Sequence, residues 1–551
     1  MRETRLPILL FLVASILITG YDVYIDNHAL QLPIVDRIAN PSSYPGDPFV
    51  DTAPHYASAL WRMVAWVSHV VPTMTQLAVL FLIERVLLLV AFARLARAMA
   101  PGSRLTELAA LAFAALAPRP LIADGTIVTT YLEQTGLSIP IFVLAVASYL
   151  ERRPYRTALL LGIGFDLNSL YGMYLMTYLI AMAIADGGWR RWWPRWVVAA
   201  GVFVVAASPG LALSLQAFGR PEPDRDLWLW ASRVRFSHHL YPLSWGRMVL
   251  VEFGALFALV AAVAWKQRER DPGGAARALA WCATAGGWLA VAFLAPVLRS
   301  PAVLIAHPGR ACDFWQVLAA VYLIAVVARQ IEGRRIDPVL GTATLIGAII
   351  VWFEPGFTLV LAGVLAGTLL FAGRAETTLW RRTSPILVAL VAIVAIAVPV
   401  RRALANLSPQ AAFGWRPNAE MLALTGWARE NTTRDAVFLV HPTWSEFRPL
   451  AQRPVFGTWK DGAAILWDRP YLAHWIARMQ AFGLEPSSEV SAKEARAIIA
   501  SGYAALTDDN VRELRHRYRV AYWVVPHGHP SAFPVAFETN LFLVLSVQDA
   551  R

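Results

Sequence analysis

Apolar runs, each close to the length a bilayer requires, alternate with short polar joints along the first 400 residues. The runs centre on 6–21, 73–93, 105–121, 137–150, 157–168, 170–186, 196–215, 247–265, 278–297, 312–328, 338–353, 356–372 and 385–400. A helix needs roughly 17–25 apolar residues to cross a membrane, so the pattern predicts about 13 spans. The joints alternate in character. Arg94/Arg97/Arg104, Arg152/Arg153/Arg156, Arg190/Arg191/Arg195, Lys266/Arg268/Arg270, Arg329/Arg334/Arg335 and Arg374/Arg381/Arg382 make one set strongly basic. The other set, 22–72, 117–136, 216–246 and 298–311, is not. Positive joints stay in the cytoplasm. The expected topology has the N-terminus inside, the second set of joints outside and, with an odd number of spans, the C-terminus outside. The pattern changes after Val400. Helical periodicity at 419–431, 463–482, 491–501 and 507–517 is mixed with strand-like runs at 436–442, 453–456, 519–526 and 537–547. The expected architecture is a polytopic α-helical membrane domain, 1–400, carrying a first outer loop at 22–72, followed by an extracytoplasmic α/β domain, 401–551.

Composition agrees. Of 551 residues, 57% are hydrophobic and 16% charged, against about 25% charged in soluble domains; the mean hydropathy is +0.48. The net charge of +11 does not point to nucleic acid, because the arginines sit in the joints. Cys282 and Cys312 lie in or beside apolar segments and build no disulfide framework or thiolate metal site. The first apolar run lacks a convincing cleavage site and is expected to remain as a span of an inner-membrane, multi-pass protein.

Candidate chemistry gathers in the outer joints. The first holds Asp22, Asp26, Asp36, Asp47 and Asp51 with His28 and His55, a density of carboxylates suited to acid–base work at a membrane surface. Its end, 54–72, mixes tryptophan and aliphatic residues with Arg62 and His69 and reads as an interfacial helix or, equally, a loop helix packed on the bundle. The next outer joint carries Asp124 and Glu133, the latter also placed to cap a helix. Asp166 and Asn168 interrupt an apolar run, as a functional cavity or an interhelical pair would require. Arg233, Arg235, His238 and His239 follow in 216–246, and Arg299 and Arg310 in 298–311. Arginine on the outer side runs against the charge bias; a lipid-linked phosphate, or equally snorkelling to lipid headgroups, supplies a reason. Adjacent histidines are expected to point apart, so no metal site is assigned. In the C-terminal domain, 447–462 gathers Arg448, Arg453, Trp459, Lys460 and Asp461 around a glycine-bearing turn, a set suited to sugar or pyrophosphate. The chain has neither a glycine-rich phosphate loop nor a nucleophile elbow.

NHALQLPIVDRIANPSSYPGDPFV (27–50), YRTALLLGIGF and SLYGMYL (155–175), HHLYP (238–242), and WARENTTRDAVFLVHP with FRPLAQRPVFGTWKD (427–461) resemble the GT-C superfamily of membrane glycosyltransferases, and more closely a group of bacterial polytopic membrane proteins of that type. The resemblance runs along nearly the whole chain. It implies an inverting transferase that moves a sugar from a polyprenyl-phosphate donor to an unidentified acceptor on the extracytoplasmic face, in contact with membrane lipids. By this resemblance Asp26, with Asp22 second, is the catalytic base. His28, Asp47, Glu133, Arg235, His238, His239, Arg310, Trp459, Lys460 and Asp461 are the substrate-binding candidates, with Arg310, Arg235 and the two histidines expected to share a phosphate pocket with the first loop. The chain departs from the pattern at Asn168-Ser169, where relatives carry His-Pro, and in lacking Asp-x-Asp in the second outer joint; no metal or other cofactor is expected. A transporter or flippase of a lipid-linked saccharide, and a non-enzymatic envelope-assembly scaffold, are the competing readings.

Overall fold

The computed structural model describes residues 5–116, 118, 121–125, 127–187, 189–218, 224–353, 358–371, 393, 397, 400–401, 403–404, 418–486 and 489–547. The chain divides into two compact units. One comprises Met1–Tyr21, Leu77–Leu211 and His238–Phe413, the other Asp22–Gln76, Ala212–Ser237 and Gly414–Arg551.

The first unit is helical. Its helices start where short polar residues satisfy free backbone amides: the Ser103 hydroxyl accepts from Thr106 N at 3.1 Å and the Asp271 carboxylate from Gly274 N at 2.9 Å. Pro154, Pro272 and Pro338 occupy first-turn positions, where the missing N–H costs nothing. Each expected run from 6–21 to 356–372 contains a helix among its described residues, while 385–400 lies largely outside the described residues. Among the described residues four helices, Thr73–Met99, Arg247–Gln267, Pro272–Val297 and Pro301–Glu332, are long and apolar enough to cross a membrane. A fifth span results if Trp193–Ala206 and Ser208–Gln216, bent by 63°, count as one. The remaining runs are shorter helices of 10–17 residues, such as Gln134–Leu150 and Ser169–Ala185. Polar breaks shorten them. Asn168 ends one helix and caps the next, accepting from Tyr171 N at 3.3 Å, and Asp166 accepts from Gly210 N at 2.7 Å across two helices, the interhelical pairing. The apolar window of Pro301–Glu332 is entirely buried, so this helix is the axis of the bundle.

The basic joints of this unit meet one another. Arg94 forks onto Glu151 with its Nε at 2.7 Å, Arg277 pairs with Asp186 at 2.9 Å, and Arg329 with Asp271 at 2.7 Å. Cys282 and Cys312 are free and buried.

The second unit joins three stretches of sequence. Its sheet has the order β1-β2-β4-β3, with β1 Val437–Leu439, β2 Val520–Pro526, β3 Val535–Glu538 and β4 Phe542–Ser546. The β1/β2 pair is parallel and the others antiparallel. The expected strand at 453–456 is only a single bridge, Val455 to Phe438. The expected helix 463–482 breaks before Pro470, which disfavours helical backbone in the residue ahead of it, leaving a 3-10 turn, Lys460–Leu466, and a helix, Tyr471–Gln480. The helix expected over 54–72 is shorter: it spans Ala59–Val67, burying Leu60, Trp61, Val64 and Ala65.

The main correction concerns the first outer loop, expected with the membrane domain. It folds with the sheet because its polar groups find partners there. The fully buried Arg448 guanidinium binds both Asp461 oxygens at 2.7 Å and Asp47 Oδ2 at 2.7 Å, with Phe49 beneath it at 4.8 Å. The Trp467 indole donates to Thr52 Oγ1 at 3.0 Å, and His55 Nδ1 meets Asp468 at 2.8 Å.

Candidate functional site

In the helical unit three expected outer joints supply one polar cluster. Ala123 and Asp124 adopt consecutive left-handed conformations, φ 57° and 43°, and His307 a third at 42°. Such backbone costs about 1–3 kcal/mol per residue and persists only where the surroundings impose it. The surroundings do so here. Tyr174 Oη donates to Ala306 O at 2.5 Å and His307 O at 2.8 Å, and Tyr178 Oη to Ala311 O at 3.0 Å. Gly309 is pressed against Trp245 and the Ala123 methyl, leaving no space for a Cβ. The turn so held projects Arg310. One guanidinium nitrogen, Nη2, lies 3.3 Å from Asp124 O and 3.1 and 3.0 Å from the two ring nitrogens of His239. The His239 Nδ1–H donates to Ala123 O at 3.0 Å. Burial, then the neighbouring Arg310, His238 and His307, push His239 well below its ordinary pKa, so it is neutral at physiological pH. The His238 and His239 rings stand 3.9 Å apart, and His307 is 5.8 Å from His239. Among the described residues Arg310 Nε and His307 Nδ1 are buried and make no hydrogen bond. A rigid arginine with an unused donor, beside histidines, is the chemistry of an anion site.

Deeper in the unit, Tyr171 Oη donates to Asp313 at 2.6 Å, and the Asp313 carboxylate lies where a Cβ on Gly125 would be. Glu133 stands at the N-cap position of Gln134–Leu150 without a side-chain capping bond; it is buried and lies within electrostatic range of Arg310 and Glu84. Glu84 and Arg85, on the span Thr73–Met99, are 1% and 0% exposed. Sequence reasoning passed over this pair, although charges inside a span are the signal that marks such sites. It also passed over His307, Asp313 and the three tyrosines.

The sheet unit holds the other candidates. Asp26, left-handed at φ 44°, forms an ion pair with Lys460. Arg235 Nε donates to Trp459 O at 3.0 Å, and its guanidinium lies 5.7 Å from the Trp459 ring. Burial lowers Arg235 to about 10, against the pull of Asp26, and it stays charged. Asp22 is half-buried and has no hydrogen-bond or ion-pair partner among the described residues. Asp47 and Asp461 lie in the interior, 1% exposed, with their oxygens on Arg448 and on the amides of Phe49, Val455 and Thr458; they hold the fold together. His28 is fully buried, edge-on to Trp61 at 6.3 Å. Arg310, His238 and His239 come together in the helical unit, while Arg235 and the first loop belong to the sheet unit.

Residues 419–482 match a family model described as a domain of unknown function (DUF6798). The match runs from the helix Ala419–Asn431 through Tyr471–Gln480 and includes Arg448, Trp459, Lys460 and Asp461. No curated protein matches the chain.

Proposed function

We propose that the chain is a GT-C-type membrane glycosyltransferase that takes a sugar from a polyprenyl-phosphate donor on the extracytoplasmic face of the cytoplasmic membrane. The Arg310 cluster carries this reading. It is a built anion site formed by joints that the charge pattern assigns to one side of the membrane, beside apolar helices suited to a lipid tail. Glycosyl transfer from such a donor expels a lipid phosphate as the acceptor oxygen attacks the anomeric carbon. Arg310 neutralises the charge that develops on that phosphate, a contribution of about 10²–10³ in rate for one well-placed donor. The acceptor hydroxyl must lose a proton to a carboxylate. Of the two first-loop candidates, Asp26 is engaged in an ion pair with Lys460, whereas Asp22 has no ion-pair partner among the described residues. The role therefore passes to Asp22.

The test is transfer by the purified protein supplied with radiolabelled polyprenyl-phosphate sugars. Arg310→Ala is expected to lose at least about 10²-fold in kcat, Asp22→Asn a similar factor and Asp26→Asn less. Undiminished transfer by Arg310→Ala overturns the assignment.

One observation favours a second reading, transport of a lipid-linked saccharide. Glu84 Oε2 and Arg85 Nε and Nη1 are buried in a span without hydrogen-bond partners among the described residues, and charges so placed often line a path. Movement of labelled lipid-linked saccharide across liposomes without release of lipid phosphate would select this reading.

A further inference from the structure

Neighbouring residues on a helix point about 100° apart, so His238 and His239 have no reason to converge. The helix Arg225–Leu240 kinks at Phe236, φ −124° and ψ 23°; beyond the kink the two rings nevertheless meet at 3.9 Å, tilted by 49°. The Asp124 carboxylate approaches from the left-handed Ala123-Asp124 turn, 3.9 Å from His238 Nε2. One ligand atom from each of the three residues fits within 4.8 Å of the others.

We propose that Asp124, His238 and His239 bind a divalent transition-metal ion. This reverses the expectation of no metal, which rested on the two histidines diverging and on the missing Asp-x-Asp. Bonds of about 2.0–2.2 Å to nitrogen and oxygen draw such a set together with roughly an ångström of side-chain movement. His239 is prepared for the role. Its Nδ1–H is held by Ala123 O at 3.0 Å, the kind of outer partner that fixes a ligating imidazole and leaves Nε2 bare. Arg310 does not block that nitrogen. Its Nη2 is almost equidistant, at 3.1 and 3.0 Å, from the two ring nitrogens and so lies off the line of the Nε2 lone pair. Two imidazoles and one carboxylate suit zinc, manganese, iron(II) or cobalt better than calcium or magnesium. Three protein ligands, with Asp124 64% exposed, leave coordination positions open, as in catalytic rather than structural sites. The ion would lie beside Arg310 and share the phosphate that the arginine binds; this last step rests on the transferase reading, whereas the metal site does not.

The full-length protein, purified without a polyhistidine tag and stripped with EDTA, is titrated with Co²⁺ and, by calorimetry, with Zn²⁺. The expected result is one equivalent bound at micromolar or tighter affinity, with cobalt absorption typical of nitrogen and oxygen ligands. Asp124→Ala, His238→Ala and His239→Ala should each weaken binding at least 10-fold. No binding below millimolar concentration, or binding indifferent to all three substitutions, overturns the proposal. The two readings fail separately. Metal bound by a protein that transfers no sugar leaves the site standing and removes the transferase. EDTA-resistant transfer by a protein that binds no cobalt does the reverse.

Discussion

Asp36 shows how much a single side chain depends on its surroundings. It was one of five loop aspartates with nothing to set it apart. Folded, it accepts from Tyr44 Oη at 2.9 Å, and burial raises its pKa to about 6, partly offset by that hydrogen bond. Between about pH 4 and 6 the folded protein keeps a proton that the unfolded chain has released, so stability falls as pH rises through this window and levels off above it. Asp36→Asn retains an acceptor for Tyr44 and removes the charge. It is expected to raise stability at pH 7.5 by about 1–2 kcal/mol and to flatten the dependence between pH 4 and 6, measured as the melting temperature of the detergent-solubilised protein across pH. A less stable variant at pH 7.5 would mean that the ionised carboxylate is itself stabilised. His238 and His239 teach the opposite lesson. Reading them as divergent was sound for a strand or loop; the structure puts them on the helix Arg225–Leu240, where their rings meet at 3.9 Å.

Among elements, the stretch 447–462 was legible as a dense charged turn, but its role was not. Arg448 could be a ligand contact or a keystone. The difference lies in Asp47, 401 residues away in sequence, and no local pattern encodes that partnership. Burial alone would lower the Arg448 guanidinium, but Asp461 and Asp47 outweigh it and hold it protonated. Arg448→Met leaves two carboxylates sealed without a cation and is expected to cost about 3–5 kcal/mol, seen as a large fall in melting temperature. Adding Asp47→Asn and Asp461→Asn should recover much of the loss, because the cost is that of unpaired charge. A neutral Arg448→Met would show that the triad contributes nothing to the fold. Helix and strand positions in the C-terminal region were mostly legible, since caps, periodicity and turn residues act over a few positions. The exceptions were 453–456 and the break before Pro470.

At the scale of the molecule, the alternation of joints is the pattern with the widest reach. Residues from several basic joints pair with one another, and residues from three of the other joints, Asp124, His239 and Arg310, form one cluster. The topology proposed on this basis puts the C-terminus outside the cell membrane. A reporter that fluoresces only in the cytoplasm, fused after Arg551, is therefore expected to be dark, and a bright fusion would reverse the orientation. The sequence by itself determined that the chain is apolar and helical over most of its length, that a polar segment with strands follows Val400, and which joints carry the charged and histidine side chains. These are properties of composition and short-range periodicity, which act through local hydrogen bonding and burial. Only the tertiary structure decided that the first loop folds with the sheet rather than with the helices that flank it. It alone decided that Asp47 and Asp461 are structural, that Asp26 pairs with Lys460 while Asp22 has no such partner among the described residues, and that Arg310 meets His239. Each of these outcomes is a pairing between residues far apart in the chain, set by which charges burial forces together.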